Sequence, residues 1–141
     1  MIAFPIIYAA YMGVADGARS RAIEIARKKP DDGNAAYLAG ELENAHAAAG
    51  IALADMIRIA ETEKPGAETT SRQMIRRTLV AQNTIKTVER AMELAGGAAF
   101  YRSVGLERAF RDVQAARYHP LQEKPQARYT GSLALSLDID S

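Results

Sequence analysis

Apolar side chains return every three or four residues through most of this chain, the spacing that lines one face of an α-helix. Ile7, Tyr11, Val14, Ala18, Ala22 and Ile25 predict a first helix over residues 5–29. Pro5 suits its opening turn, where a missing N–H costs little, and Arg27, Lys28 and Lys29 put positive charge at the negative end of its dipole. Pro30-Asp31-Asp32-Gly33 ends it. Asn34 then caps a second helix whose seam reads Leu38, Leu42, Ala45, Ala49, Leu53, Met56 and Ala60, in nearly alternating four- and three-residue steps.

A polar connection over residues 63–67 leads to a third helix. Thr69, Thr70 or Ser71 can cap it, Ile75, Leu79, Ile85, Val88 and Met92 form its stripe, and Gly96-Gly97 stops it. A shorter fourth helix is predicted over residues 106–117, with Pro120 marking its end. Three long helices on short connections must run up, down and up to bury their stripes, and the fourth closes the layer. The reading is all-α: an up-down-up-down four-helix bundle over residues 1–120. In residues 121–141 the pattern changes, as Leu133, Leu135, Leu137 and Ile139 alternate with Ala134, Ser136 and Asp138. That period of two predicts an extended C-terminal tail packed on the bundle or on a partner.

Composition agrees with one helical domain. Hydrophobic residues make up 48% of the 141 but aromatics only 6%, so Ala carries much of the apolar fraction and favours close helix contacts. Eighteen basic and seventeen acidic residues leave a formal charge of +1, which argues against nucleic-acid or anionic-membrane partners. The absence of Cys rules out disulfides and thiolate chemistry. With two His and no HExxH-like pair, no metal site is expected. The apolar run over residues 2–11 has no basic flank and is too short to span a bilayer, so the expected location is cytoplasmic.

His119 stands out as the candidate acid-base group, because it follows a helix end between Tyr118 and Pro120 and an imidazole can both take and give a proton. His46 lies beside the second seam and reads as partly solvated or hydrogen-bonded. Gly96-Gly97 reads first as a helix cap and second as a place where exposed N–H groups meet a pyrophosphate. Arg102, Glu107, Arg108, Arg111 and Asp112 read as an ion-pair network, with Glu107 and Arg111 at a favourable four-residue step. Tyr11, Tyr37, Met56, Met74 and Met92 fall on or beside stripes and read as core.

The segment from Glu93 to His119, ELAGGAAFYRSVGLERAFRDVQAARYH, resembles the C-terminal domain of the acyl-CoA dehydrogenase superfamily. Its GG, aromatic, LER and RD elements stand in the family's order. The earlier YMGVADGARSRAIEIARKK resembles the helix that opens the same domain, so the likeness runs from Ala9 to His119. Such a resemblance implies an FAD-dependent oxidoreductase acting on an acyl-CoA thioester. In those enzymes an N-terminal helical domain and a middle β domain, which these residues do not include, join this bundle, usually in a homotetramer around flavin.

By the same resemblance, Gly96 and Gly97 approach the flavin's adenosine diphosphate portion, while Glu93 stands where many relatives have Gln. Lys29 falls nearest the Arg of an Arg-x-x-Phe flavin contact, although Pro30, Asp31 and Asp32 follow in place of the Phe. The carboxylate that removes the α proton in relatives would fall near Pro120, or near Ala3 and Phe4, and none of these is an acid; a shifted loop could bring in Glu123. A monooxygenase-like branch places a His eight residues beyond the conserved Arg, the step from Arg111 to His119. It implies FMN and a small aromatic substrate, with His119 acting on its hydroxyl. A third reading is a freestanding oligomeric binding module, a dimer or tetramer that has lost catalysis.

Overall fold

A computed structural model describes residues 3–29 and 32–140, and all its regular elements are helical. They are α1 (Ala3–Arg27), α2 (Ala35–Thr62), α3 (Ala67–Ala95), α4 (Leu106–Val113) and α5 (Glu123–Ala134). Two 3₁₀ turns, Gly96–Phe100 and Gln114–Arg117, extend the ends of α3 and α4. Pro30 and Asp31 of the expected turn after the first helix lie outside the described residues.

The all-α bundle of the sequence reading is the fold observed. Cross-helix partners show its path. Glu43 and His46 on α2 meet Arg19 and Asp16 on α1, and Glu41 and Asp55 meet Arg90 and Arg76 on α3. In both pairings one number rises as the other falls, so α2 runs antiparallel to its neighbours. The third helix is the centre: α1, α2, α4 and α5 all pack on it.

The α2 seam is a heptad-like row of Leu42, Ala45, Ala49, Ala52, Met56 and Ile59, in which the small Ala residues let the backbones come close. Leu38, Leu53 and Ala60 of the sequence reading lie at its margin and are partly buried, and Ala52 and Ile59 take the places of the latter two. On α1 the buried row is Pro5, Tyr8, Met12, Ala15, Ala18 and Ala22, so its first half is turned by one residue from the predicted stripe. Tyr37 is 69% exposed rather than core, because the first turn of α2 projects beyond the packed layer.

Helix α3 begins at Ala67 after Gly66, earlier than the three hydroxyl caps suggest. Thr69 Oγ1 instead donates to the Lys64 carbonyl and fastens the preceding loop. The C-terminal stop is as expected: Gly96 caps α3 with φ +65°, a left-handed conformation that favours Gly.

The extended tail of the sequence reading is corrected here, since residues 123–134 are helical and dock on α3. Pro125 lies in the first turn of α5, where its lack of an N–H is harmless. The contact is polar: Thr78 Oγ1 donates to Gln126 Oε1 at 2.6 Å, Gln126 Nε2 donates to Thr130 Oγ1 at 2.9 Å, and Ser71 Oγ donates to the same hydroxyl at 3.2 Å. Beyond the helix Leu135 and Leu137 are exposed, so the period-two alternation marks no strand.

Candidate functional site

Buried polar groups converge where the start of α1 passes the end of α4. Tyr8 and Tyr11, three residues apart, face the same side of α1. Their rings lie 5.4 Å apart between centroids and are tilted by 52°, and Tyr8 is fully buried. From α3 comes Arg77, also fully buried, with its guanidinium carbon 5.5 Å from the centre of the Tyr8 ring. Its Nε donates to the Tyr8 hydroxyl at 2.6 Å, Nη1 to Thr78 Oγ1 at 3.1 Å, and Nη2 to the carbonyls of Ala116 and Arg117 at 2.8 and 3.0 Å.

A buried cation without compensation is costly. Here the compensation comes from a phenol and from two carbonyls at the C-terminal end of the α4 extension, where the helix dipole is negative. The Tyr8 hydroxyl passes the connection on by donating to the His119 carbonyl at 3.1 Å. The His119 N–H donates in turn to Ala115 O at 2.9 Å. The backbone that carries His119 is therefore held at both its N–H and its C=O.

The His119 imidazole itself is exposed, with Nδ1 3.5 Å from the Tyr11 hydroxyl. Tyr11 also lies 3.4 Å from the His119 carbonyl. Such an imidazole can take or give a proton at Nε2 while Nδ1 faces the phenol. Burial pushes the Tyr8 phenol above its usual pKa, against the lowering effect of Arg77, with Tyr11 and Glu123 adding smaller upward pushes. Burial also raises Tyr11, and Arg77 opposes it. Both phenols are thus neutral near pH 7 and can serve as hydrogen-bond donors.

Glu123, in the first turn of α5, approaches this cluster closely enough for its charge to act on Tyr8. Its Oε1 is buried and has no hydrogen-bond partner. Pro120 is exposed, while Ala3 and Phe4 bring no acid to the other end of the cluster. The only carboxylate among these positions is Glu123.

A second corner lies where α1 ends beside the end of α3. Lys29 Nζ donates to the Ala95 carbonyl at 2.8 Å, helping to cap α3, and a Cβ added at Gly96 would stand 3.4 Å from that ammonium. Gly97 has open space where a Cβ would be. Lys29, Gly96 and Gly97 therefore form one basic, backbone-exposing corner with two ammonium donors still free of the Ala95 contact. Glu93 is turned aside, since Arg90 Nη1 donates to its Oε1 at 2.6 Å.

Sequence reasoning named His119, Lys29, Gly96 and Gly97 as candidates but not the residues that hold the His119 backbone. Tyr8 lies one residue from the predicted stripe of α1 and Arg77 falls between the stripe positions Ile75 and Leu79 of α3, and no spacing rule distinguishes a buried Arg from a solvated one. His46 is hydrogen-bonded to Asp16 Oδ1 at 2.6 Å and partly exposed, as expected. The predicted pair of Glu107 and Arg111 is not formed. Arg111 approaches Asp112 at 3.6 Å instead, and Arg108 reaches the same carboxylate at 4.0 Å. Among the described residues no cluster suited to a metal ion occurs, and no helix is long and apolar enough to cross a membrane.

Residues 6–123 match the family described as acyl-CoA dehydrogenase, C-terminal domain. No curated protein matches the chain. Among solved structures, KijD3 in complex with FMN and dTDP-3-amino-2,3,6-trideoxy-4-keto-3-methyl-D-glucose superposes with a TM-score of 0.81 at 22% identity, over 94% of this chain and 35% of that one. The HsaA monooxygenase from M. tuberculosis superposes with a TM-score of 0.76 at 21% identity, over 96% of this chain and 39% of that one. At such identities the likeness is one of fold, and the chain spans little more than a third of either structure.

Proposed function

The chain belongs to the acyl-CoA dehydrogenase C-terminal domain family, and on that premise we propose that it is the flavin-contacting helical domain of an oxidoreductase. The observation that carries this reading is the meeting of Lys29 with Gly96 and Gly97 in one corner. A side chain at either glycine would intrude on a backbone that a phosphate must approach, and the Lys29 ammonium brings positive charge to it. Flavin, when bound, would supply the hydride or oxygen chemistry. Lys29 would meet its phosphates and the Gly96-Gly97 backbone its adenosine diphosphate portion.

The complete enzyme is then read first as an FAD-dependent dehydrogenase of acyl-CoA thioesters. Glu123 is the carboxylate available for the α proton, its Oε1 buried and unpartnered and its charge acting on Tyr8. The bundle would also be an oligomerisation domain, forming a dimer or tetramer with the N-terminal and middle domains of the whole enzyme. FAD and FMN fluorescence, titrated with the chain, tests the flavin reading: saturable quenching supports it, and none at any protein concentration contradicts it.

A second reading, a flavin-dependent monooxygenase using FMN, is favoured by the His119 geometry. Its backbone is anchored through Tyr8 and Ala115 while its imidazole stays exposed beside Tyr11. In that enzyme His119 would accept the proton of a substrate hydroxyl. KijD3 with FMN and the HsaA monooxygenase share the fold and support this reading as analogues. Oxygen-dependent hydroxylation of a small aromatic, lost in His119→Ala, separates it from thioester desaturation lost in Glu123→Gln.

A further inference from the structure

A cavity of about 380 Å³ opens between the middle of α1 and the start of α4, away from the His119 cluster. Three arginines from different places in the chain line it: Arg21 from α1, Arg102 from the loop before α4, and Arg108 from the first turns of α4. Arg102 and Arg108 also line an adjoining cavity of about 420 Å³ together with Arg111. All four side chains are exposed. Neither Arg21 nor Arg102 has an ion-pair or hydrogen-bond partner among the described residues. The acid on the wall of the first cavity, Asp112, is shared between Arg108 and Arg111 at 4.0 and 3.6 Å.

Like charges gathered around one cavity repel each other, and folding gains nothing from assembling them there. The cavity is also kept open by missing side chains. Gly13 and Gly17, one turn apart on α1, face empty space, and a Cβ at Gly105 would stand 3.3 Å from Arg21 Nη1. Guanidinium groups present paired donors that match phosphate oxygens, so the unpartnered Arg21 and Arg102, with Arg108 held to Asp112 only at 4.0 Å, make a receptor for a polyanion. Its volume lies within the range of small-molecule sites and exceeds what one phosphate fills.

The geometry points to a binding site for a diphosphate group, free or as part of a nucleotide, formed by Arg21, Arg102 and Arg108. It is separate from the Lys29 corner: Arg21 stands six residues before the end of α1 at Arg27, about 9 Å of helical rise, and Lys29 lies beyond that end. The site therefore stands whether or not the Lys29 corner meets a flavin.

Calorimetric titration of the chain with inorganic pyrophosphate at low ionic strength tests the site. Saturable binding is expected, weakened about tenfold by Arg21→Gln and by Arg108→Gln. The titrations are made in a Lys29→Ala background, so that the other basic corner adds no binding, and Lys86→Gln, which removes the same charge from an exposed place on α3, should leave the affinity unchanged. These substitutions alter exposed side chains, and circular dichroism verifies the fold of each. ADP binding at least as tightly as pyrophosphate supports the site with a nucleotide as its source, and ADP binding more weakly supports it with free diphosphate. In that background no saturable binding, equal weakening by Lys86→Gln, or phosphate binding as tightly as pyrophosphate would each overturn the assignment.

Discussion

Arg77 donates through Nε to the hydroxyl of Tyr8 at 2.6 Å, and this bond joins the centre of the bundle to the segment that carries His119. Tyr8 then donates to the carbonyl of His119, and Arg77 holds the carbonyls of Ala116 and Arg117 directly. Helix α3 thus positions the segment that carries His119 without touching its imidazole. Arg77 and Tyr8 are positioning residues.

Replacing Arg77 by Met leaves a buried phenol oxygen and two buried carbonyls short of donors. Hydrogen bonds to charged groups are worth about 1.5–3 kcal/mol each, so the loss should reach about 3 kcal/mol or more. Urea unfolding followed by circular dichroism measures it. A Met variant as stable as the parent would mean that the guanidinium's desolvation cost cancels all of its bonds.

Tyr8→Phe keeps the ring but strands the Arg77 Nε and leaves the His119 carbonyl only the longer contact with Tyr11 at 3.4 Å, at a cost of about 1–3 kcal/mol. The variant should also change the alkaline limb of stability. Burial raises the Tyr8 pKa in the fold, so its contribution is fully present below the unfolded value near 10 and is lost as pH rises through the folded value. Melting temperature should consequently fall less steeply above about pH 10 in Tyr8→Phe than in the parent.

The acid limb has the opposite sign. Hydrogen bonds from Arg76 and then Arg58 hold the Asp55 carboxyl below its usual pKa, and Arg19 does the same for Glu43. A depressed folded pKa stabilises the protein above the unfolded value, and that stability is lost as pH falls through the folded one. Melting temperature should decline below about pH 4, and Asp55→Asn should flatten the decline. An Asn variant with an unchanged acid profile would remove Asp55 from the explanation.

Gly96→Ala places a Cβ on a residue at φ +65° and 3.4 Å from the Lys29 ammonium. The left-handed backbone alone should cost about 1 kcal/mol. Gly97→Ala, whose Cβ would meet open space, should cost less in thermal unfolding.

Much of this was legible in the pattern of residues, and the exceptions have physical causes. The seam of α2 was readable because Leu42, Ala45, Ala49 and Met56 are apolar and buried. Helix α3 was harder, since its buried face includes Gln73, Arg77, Thr84 and Thr87, of which Gln73, Thr84 and Thr87 donate to carbonyls and Arg77 to carbonyls and to the hydroxyls of Tyr8 and Thr78. Helix α5 escaped notice because it docks through Gln126, Thr130 and Ser71 rather than through an apolar stripe. The likeness of the GG and RD elements led to Gly96, Gly97 and His119, and the fold brings Lys29 to the first two. Tyr8 and Arg77 required coordinates, because their partnership spans 69 positions of sequence.

The most direct measurement is calorimetric titration of the chain with FAD and FMN, repeated on Lys29→Ala and Gly97→Val with helix content monitored in parallel. If the corner of Lys29, Gly96 and Gly97 receives a flavin, the parent binds saturably and both variants bind about tenfold or more weakly with their helices intact. Equal affinity in all three proteins, or no saturable binding by the parent, would contradict the assignment of that corner.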